Sequence, residues 1–271
     1  MPLSHNSNTP EWRKRTRGEE WLRFAAYFCL VALTVFAWQI MTENTLWEFV
    51  NDAPKQAADI GGRMWPPRWD ALPKLWGPLI ETIHIATLGT LLALVAAVPL
   101  AFLAARNTTP SEYFIRPIAL LIIVASRSIN SLIWGLLLVM LLGPGPLAGI
   151  FAIALRSIGF LGKLLYEGIE EIDQQPIEAL ESTGASRLQV IDYGVIPQIM
   201  PTLVGITAFR WDINIRESAV LGLVGAGGIG LLLESALNRL AWPEVSLILI
   251  SILVTVIVSE WASARARKAL I

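Results

Sequence analysis

Four arginines and two carboxylates of this 271-residue chain stand inside stretches that are otherwise apolar. Arg127 lies in Ala125-Ser126-Arg127-Ser128-Ile129-Asn130 and Arg156 in Leu155-Arg156-Ser157. Arg210, Asp212, Arg216 and Glu217 are spread over residues 209–218. A guanidinium keeps its charge in any protein environment and offers a planar fork of donors that matches an oxyanion. Ionisable groups at membrane depth are costly, and they face a partner or a cavity. Asp212 and Arg216 have the four-residue spacing of a helical ion pair, as do Arg210 and Asn214 for a hydrogen bond. Arg127 and Arg156 have no carboxylate within four residues, which makes them the stronger candidates for an anion-friendly cavity. The candidate pathway residues are therefore Arg127, Ser128, Arg156, Arg210, Arg216 and Glu217. An anion in transit there must be held weakly enough to leave.

Other chemistries lack their residues. His5 and His84 are the only histidines and Cys29 the only cysteine, so no intramolecular disulfide or Cys-based metal cage is expected. The absence of His-Glu-x-x-His and Gly-x-Ser-x-Gly argues against an intramembrane hydrolase. No phosphate-cradling G-x-x-x-x-G-K-[ST] occurs: Gly162-Lys163 is followed by Leu164, and Ser157 stands where the first glycine belongs. Gly225-Ala226-Gly227-Gly228-Ile229-Gly230 fits G-x-G-x-x-G, but that signal needs a strand and a βαβ unit. In apolar surroundings such glycines serve close helix contact or a bent segment. A formal charge of −1, from 21 Lys+Arg and 22 Asp+Glu, argues against a nucleic-acid partner.

The elements that position these residues are membrane helices. Hydrophobic residues make up 54% of the chain and charged ones 16%, with a mean hydropathy of +0.56. A crossing helix takes about 20 mostly apolar residues. Runs at 24–42, 82–105, 117–142, 147–165, 198–214 and 245–261 supply six. The first is too long for the apolar part of a signal peptide and has no cleavage pattern after it, so it is expected to stay as an anchor. Gly143-Pro144-Gly145-Pro146 separates the third run from the fourth. Arg13, Lys14, Arg15, Arg17 and Arg23 precede the first run, and Arg265, Arg267 and Lys268 follow the last. Both ends are then expected in the cytoplasm, which requires an even number of crossings. Residues 218–233, also apolar, are read accordingly as a re-entrant or partial helix on the outer side. Loops 106–116 and 166–192 become cytoplasmic and 43–76 external, with Trp65-Pro66-Pro67-Arg68-Trp69 as an interfacial collar or, alternatively, a landing surface for an external partner. The expected organisation is an all-α polytopic protein: residues 1–75 form the tail, first crossing and outer segment, and 76–271 the core.

Between the fourth and fifth runs, Pro176 opens and Gly184 closes a helix of about two turns. Ser186-Arg187-Leu188-Gln189 is a capping-box pattern for a second. Helices this short need something to pack against. Glu178-Ala179, with Gly184 six residues after the glutamate and Pro197 thirteen after the glycine, resembles the EAA loop of permease subunits of ABC importers. Leu180 departs from the usual alanine, Gly194 from the usual isoleucine and Ile196 from the usual leucine. The resemblance implies a type I (MetI-like) permease fold whose coupling helix docks a separate ATPase through Glu178, Ala179, Gly184, Ile196 and Pro197.

Across most of 82–271, above all at 156–173 and 216–230, the chain resembles permeases of phosphonate importers and their phosphite and hypophosphite relatives. That resemblance implies a homodimer in the bacterial inner membrane, two ATPase copies that bind ATP and Mg, and a periplasmic binding protein that delivers a phosphorus oxyanion. It implies no catalytic residue, metal or cofactor in this chain. The alternatives are a permease for another small solute and a stand-alone channel or secondary carrier, which would leave the capped knob without a role. In a Cys29→Ala background, Lys268→Cys is expected to react with a membrane-impermeant thiol reagent from the cytoplasmic side only. Reaction from outside would overturn the six-crossing count.

Overall fold

The computed structural model describes residues 17–43 and 45–270. His5, Arg13, Lys14 and Arg15 lie outside the described residues. The described chain is helical, without a strand, and divides into two compact units at Asp59–Ile60, earlier than residue 76. Residues 60–75 belong to the second unit because Arg68 is fastened there twice. Its N–H donates to Pro243 O (3.0 Å) and its guanidinium pairs with Glu244 (2.7 Å).

In the first unit, α1 (Arg17–Thr42) is apolar and exposed along its length, as suits a helix surrounded by lipid. A second helix, α2 (Trp47–Met64), begins there, with Glu48 in its first turn and Arg63 in its last complementing the helix dipole. The sequence pattern gives no helix at this place, because Pro54 and Gly61-Gly62 mask it.

The second unit holds α3 (Leu72–Ala104), α4 (Ile115–Ser128), α5 (Ser131–Leu142), α6 (Pro146–Glu170), α7 (Gln175–Ser182), α8 (Arg187–Val190), α9 (Ile196–Leu221), α10 (Ile229–Asn238) and α11 (Trp242–Leu270). Among the described residues five helical runs are long and apolar enough to cross a membrane, and α4 and α5 reach that length only together, as a pair bent by 88°, which gives five or six. The single helix expected over 117–142 is thus corrected. Ile129 is extended, and Asn130 caps α5 by accepting from Leu132 N–H (3.1 Å).

Residues 218–233 hold no further crossing. After α9 comes a 3₁₀ turn (Gly222–Val224), then a bend with φ of +87°, +87° and +73° at Gly225, Gly227 and Gly228. The ten residues of α10 reach about 15 Å, half the hydrocarbon thickness. The bend is tied down on α3: Thr82 Oγ1 accepts from Ile229 N–H (2.8 Å), and Ser218 Oγ donates to Thr82 O (3.0 Å). A Cβ on Gly222 would lie 2.5 Å from Gly230 Cα, so these glycines exist for contact.

Small residues bring the core helices together. Ala86, Ala93, Ala97 and Ala101 on α3 and Gly149, Ala152 and Gly162 on α6 are buried. Where α4 crosses α6, Ser126 Oγ donates to Leu155 O and accepts from Gly159 N–H (2.8 Å), inserting itself into an i,i+4 step of the α6 ladder. A Cβ on Gly159 would stand 2.5 Å from Ile123 O and 2.8 Å from Arg127 N, both backbone atoms that cannot swing aside. Gly159→Ala is therefore expected to lower stability by about 1–3 kcal/mol, read as a lower thermal transition. Gly77→Ala, with no neighbour within 4 Å, should leave it unchanged or raised.

Candidate functional site

Helical periodicity puts Arg210, Asn214 and Glu217 on one face of α9, turned towards α6 and α3. Arg210 is 3% exposed. Its Nε donates to Ser157 Oγ (3.0 Å), its Nη2 to both oxygens of Glu217 (3.3 Å each), and its guanidinium lies over the Phe160 ring at 5.1 Å. Arg156 Nε approaches the same carboxylate at 3.4 Å. Two permanent cations thus share one anion, leaving one positive charge in excess. Asn214, fully buried, donates to Thr90 Oγ1 (2.8 Å) and Ser157 Oγ (3.1 Å), which locks the floor of the cluster. Arg156 and Glu217 are 30% and 18% exposed, so the cluster is open on their side. Beside it, an apolar groove of about 310 Å³ runs between α3 and α9 past Thr87, Thr90 and Trp211.

Arg156 finds its carboxylate, Glu217, on another helix, where a four-residue window does not reach. Arg216 pairs with Asp212 as its spacing indicated, and Asp212 also accepts from Ser259 Oγ of α11 (2.7 Å). That pair fastens α9 to α11 and is separate from the Arg156–Glu217–Arg210 cluster. Arg127 and Ser128 are exposed at the end of α4, and Arg127 makes no ion pair among the described residues. Its backbone passes Gly159, less than one turn along α6 from Arg156.

The knob takes the form its sequence indicated, with one difference. Asp173 accepts from Gln175 N–H (3.0 Å) to open α7, and Gly184 at φ +78° closes it, with Gly184 N–H donating to Glu181 O (3.0 Å). Gln189 Oε1 accepts from Ser186 N–H (2.8 Å) to open α8. The difference is that α8 does not end: a π-helical turn, Ile191–Val195, carries it into α9. Ile177 packs against the buried cluster of Ala101, Ala105, Leu165, Ile169, Val195 and Ile199, the surface such short helices require. A Cβ on Gly194 would stand 3.2 Å from Leu180 Cδ1. The departures at Leu180 and Gly194 are one exchange of bulk, large for small on α7 and small for large on the turn beneath.

Several residues here carried no sequence signal. Gln198 accepts from Asp173 N–H (3.0 Å) and donates to Gly194 O (2.8 Å). Arg187 donates to Thr109 O (3.0 Å), and Glu170 accepts from Arg106 N–H (2.9 Å) and pairs with Arg116 (3.4 Å). They join the knob, the loop after α3 and the end of α6 into one assembly. Each acts across chain segments, so no local motif marks it. Glu178, Ala179, Gly184 and Pro197 are exposed and Ile196 half-buried, beside outward-facing Leu188 and Tyr193. Nothing lies within 4 Å of a Cβ at Gly184, so within this chain only its left-handed φ demands glycine.

Residues 97–267 match the family described as binding-protein-dependent transport system inner membrane component. The chain is 43% identical over 209 residues to the phosphate-import permease protein PhnE of Mycolicibacterium smegmatis, covering 77% of this chain but only 39% of that relative. It is 35% identical over 253 residues to the putative phosphite transport system permease protein HtxC of Stutzerimonas stutzeri, covering 90% and 86% respectively. Among solved structures, an inward-facing MetNI methionine ABC transporter superposes with a TM-score of 0.65 at 20% identity, covering 75% of this chain and 99% of that one. The fold is thus of that permease type.

Glu217→Gln would leave two guanidiniums without their counter-charge. It is expected to cost about 3 kcal/mol, the low end for a buried pair because Arg156 is partly exposed. Thermal unfolding of the detergent-solubilised protein measures this, with Glu217→Asp retaining part of the loss.

Proposed function

The chain belongs to the family of binding-protein-dependent transport system inner membrane components, and on that premise we propose that it is the permease subunit of an ATP-driven importer of phosphonate or a related phosphorus oxyanion such as phosphite. The relatives named for phosphate and phosphite support this substrate class. The observation that carries it is the buried cluster in which Arg156 and Arg210 share Glu217. An oxyanion that reaches the open side meets the excess charge and competes with Glu217 for the two guanidinium forks. Ser157, Phe160 and Asn214 hold Arg210 in place, so the fork is oriented before the anion arrives. The tethered carboxylate re-forms its pairs as the anion leaves, which keeps binding weak enough for passage. Arg127 extends this path along α4, whereas Arg216 belongs to the tie between α9 and α11.

In this reading the chain works as a homodimer in the inner membrane with both termini in the cytoplasm. A periplasmic binding protein delivers the anion, and two ATPase subunits carry ATP and Mg. The exposed face of α7 at Glu178 and Ala179, the Gly184 corner and Pro197 contact the ATPase, and Ile196 supports that contact from beneath. This chain itself performs no bond chemistry.

Phosphite-uptake measurements in proteoliposomes holding the permease, its ATPase and its binding protein test this reading. Arg156→Ala and Arg210→Lys are each expected to slow uptake roughly ten- to a hundredfold, the weight of one charge-assisted hydrogen bond of about 1.5–3 kcal/mol. Glu178→Ala and Gly184→Leu should leave the protein inserted while ATP hydrolysis no longer tracks uptake. Wild-type uptake in the arginine variants would remove the pathway assignment, and wild-type coupling in the knob variants the docking assignment.

A further inference from the structure

The helix α3 is about 50 Å long, and its far end from the knob borders a second charged cavity. Its volume is about 270 Å³, between the segment before α3, the end of α10 and the start of α11. Leu75, Leu247 and Ile248 are buried and give it an apolar floor. Above them Arg68 and Arg239 converge on Glu244 from two sides, at 2.7 and 3.0 Å, each with some 60% of its side chain still exposed (60% and 61%). Lys74 and Asp70 also line the cavity, and neither makes an ion pair among the described residues. Trp65, Trp69 and Trp76, within three residues of its lining in sequence, are exposed, tryptophans of the kind that settle at the lipid–water boundary.

A cavity for a simple anion would have no use for Asp70, and one for a cation no use for Lys74. One free charge of each sign over an apolar floor matches a zwitterion at the edge of a bilayer. We propose that this cavity binds a phosphoethanolamine group, its phosphate held by Lys74 and the outer N–H edges of Arg68 and Arg239, its primary ammonium by Asp70. Glu244 is the positioning residue that aims both guanidiniums. The group has two sources, the headgroup of phosphatidylethanolamine and soluble phosphoethanolamine. The assignment is independent of what the helix bundle transports.

The test uses the full chain, purified with the subunits that accompany it, in nanodiscs of equal phosphatidylethanolamine and phosphatidylcholine. Lipid retained after detergent extraction is read by native mass spectrometry. Phosphatidylcholine has the same phosphate but no N–H donor, so phosphatidylethanolamine should be retained at least fivefold over it. Asp70→Asn should abolish that preference, whereas Lys74→Ala should lower the retention of both lipids at least fivefold, since both carry the phosphate, and Lys74→Arg should restore most of it. Neither position holds an ion pair, so the thermal transition of lipid-stripped protein should shift little. In a parallel arm, lipid-stripped protein is titrated with O-phosphoethanolamine. Thermal protection in the millimolar range that Lys74→Ala removes assigns the soluble source, and retention without such protection the lipid source. Equal retention of the two lipids together with no protection by O-phosphoethanolamine overturns the proposal, a comparison that needs only wild-type protein. In matched nanodiscs of equal phosphatidylethanolamine and phosphatidylglycerol, preference for phosphatidylglycerol also overturns it, as does loss of a soluble protein partner from the Lys74 and Asp70 variants with lipid retention unchanged.

Discussion

Arg210 carries a charge that no cellular pH removes, and at 3% exposure it depends wholly on what surrounds it. Breaking a buried ion pair costs several kcal/mol because the remaining charge is left without water or partner. That constraint reaches far along the chain. It requires Glu217 two turns further on α9, Ser157 on α6 to accept from Nε, and Asn214 to fix that serine through Thr90 on α3. Three helices are held in register by one guanidinium. Apolar residues could fill the same space without this network, and the excess positive charge it keeps is what the proposed passage of an anion rests on.

The register depends on how closely the helices approach. Ser157 reaches α9 because α3 and α6 meet through alanine and glycine, and because Gly159 lets the backbone of α4 lie directly on α6. Lipid tails supply no hydrophobic drive for helix association, so close packing and buried hydrogen bonds carry more of the load than in water. The glycine-rich bend after α9 obeys the same rule. Its positive φ values and its fit against Thr82 and Pro146 turn the chain back within the bundle, where a regular helix would have left it.

What could be read from sequence depends on the range of the interactions involved. The apolar runs, the capped knob and the Asp212–Arg216 pair are local, set by periods of three to four residues, and they were legible. The bend at Asn130 was half legible: an asparagine followed by serine in an apolar run is an N-cap signal, outweighed there by continuous hydropathy. The partner of Arg156 was not legible, because Glu217 lies on another helix and only the packing of α6 on α9 brings them together. Gln198 and Arg187 were missed for the same reason, and the compensation between Leu180 and Gly194 needs three-dimensional adjacency to be seen as one change.

The knob and the charge cluster are joined by a single element. From the start of α9 at Ile196, Arg210 is 14 residues away, about 21 Å of continuous helix. Between α7 and that helix lies the π-helical turn, whose wide hydrogen bonding leaves it the softest step of the path. Gln198 bridges this step by bonding Asp173 ahead of α7 and Gly194 within the turn, so the knob and the base of α9 are constrained to move together. Ile177 and Val195 share one apolar cluster with Ala101 of α3 and Ile169 of α6, so the knob packs where these helices meet. Between Ile196 and Arg210 the helix also contains Pro201, whose missing N–H makes a second point of bending ahead of the cluster. Since Arg156 sits on α6 and Glu217 on α9, any rotation between these two helices changes their 3.4 Å approach before it disturbs the Arg210 pair within α9. The Arg156–Glu217 contact ties α6 to α9 together with the bonds from Arg210 and Asn214 to Ser157, while the Arg210–Glu217 pair lies within α9 and is independent of how the two helices turn.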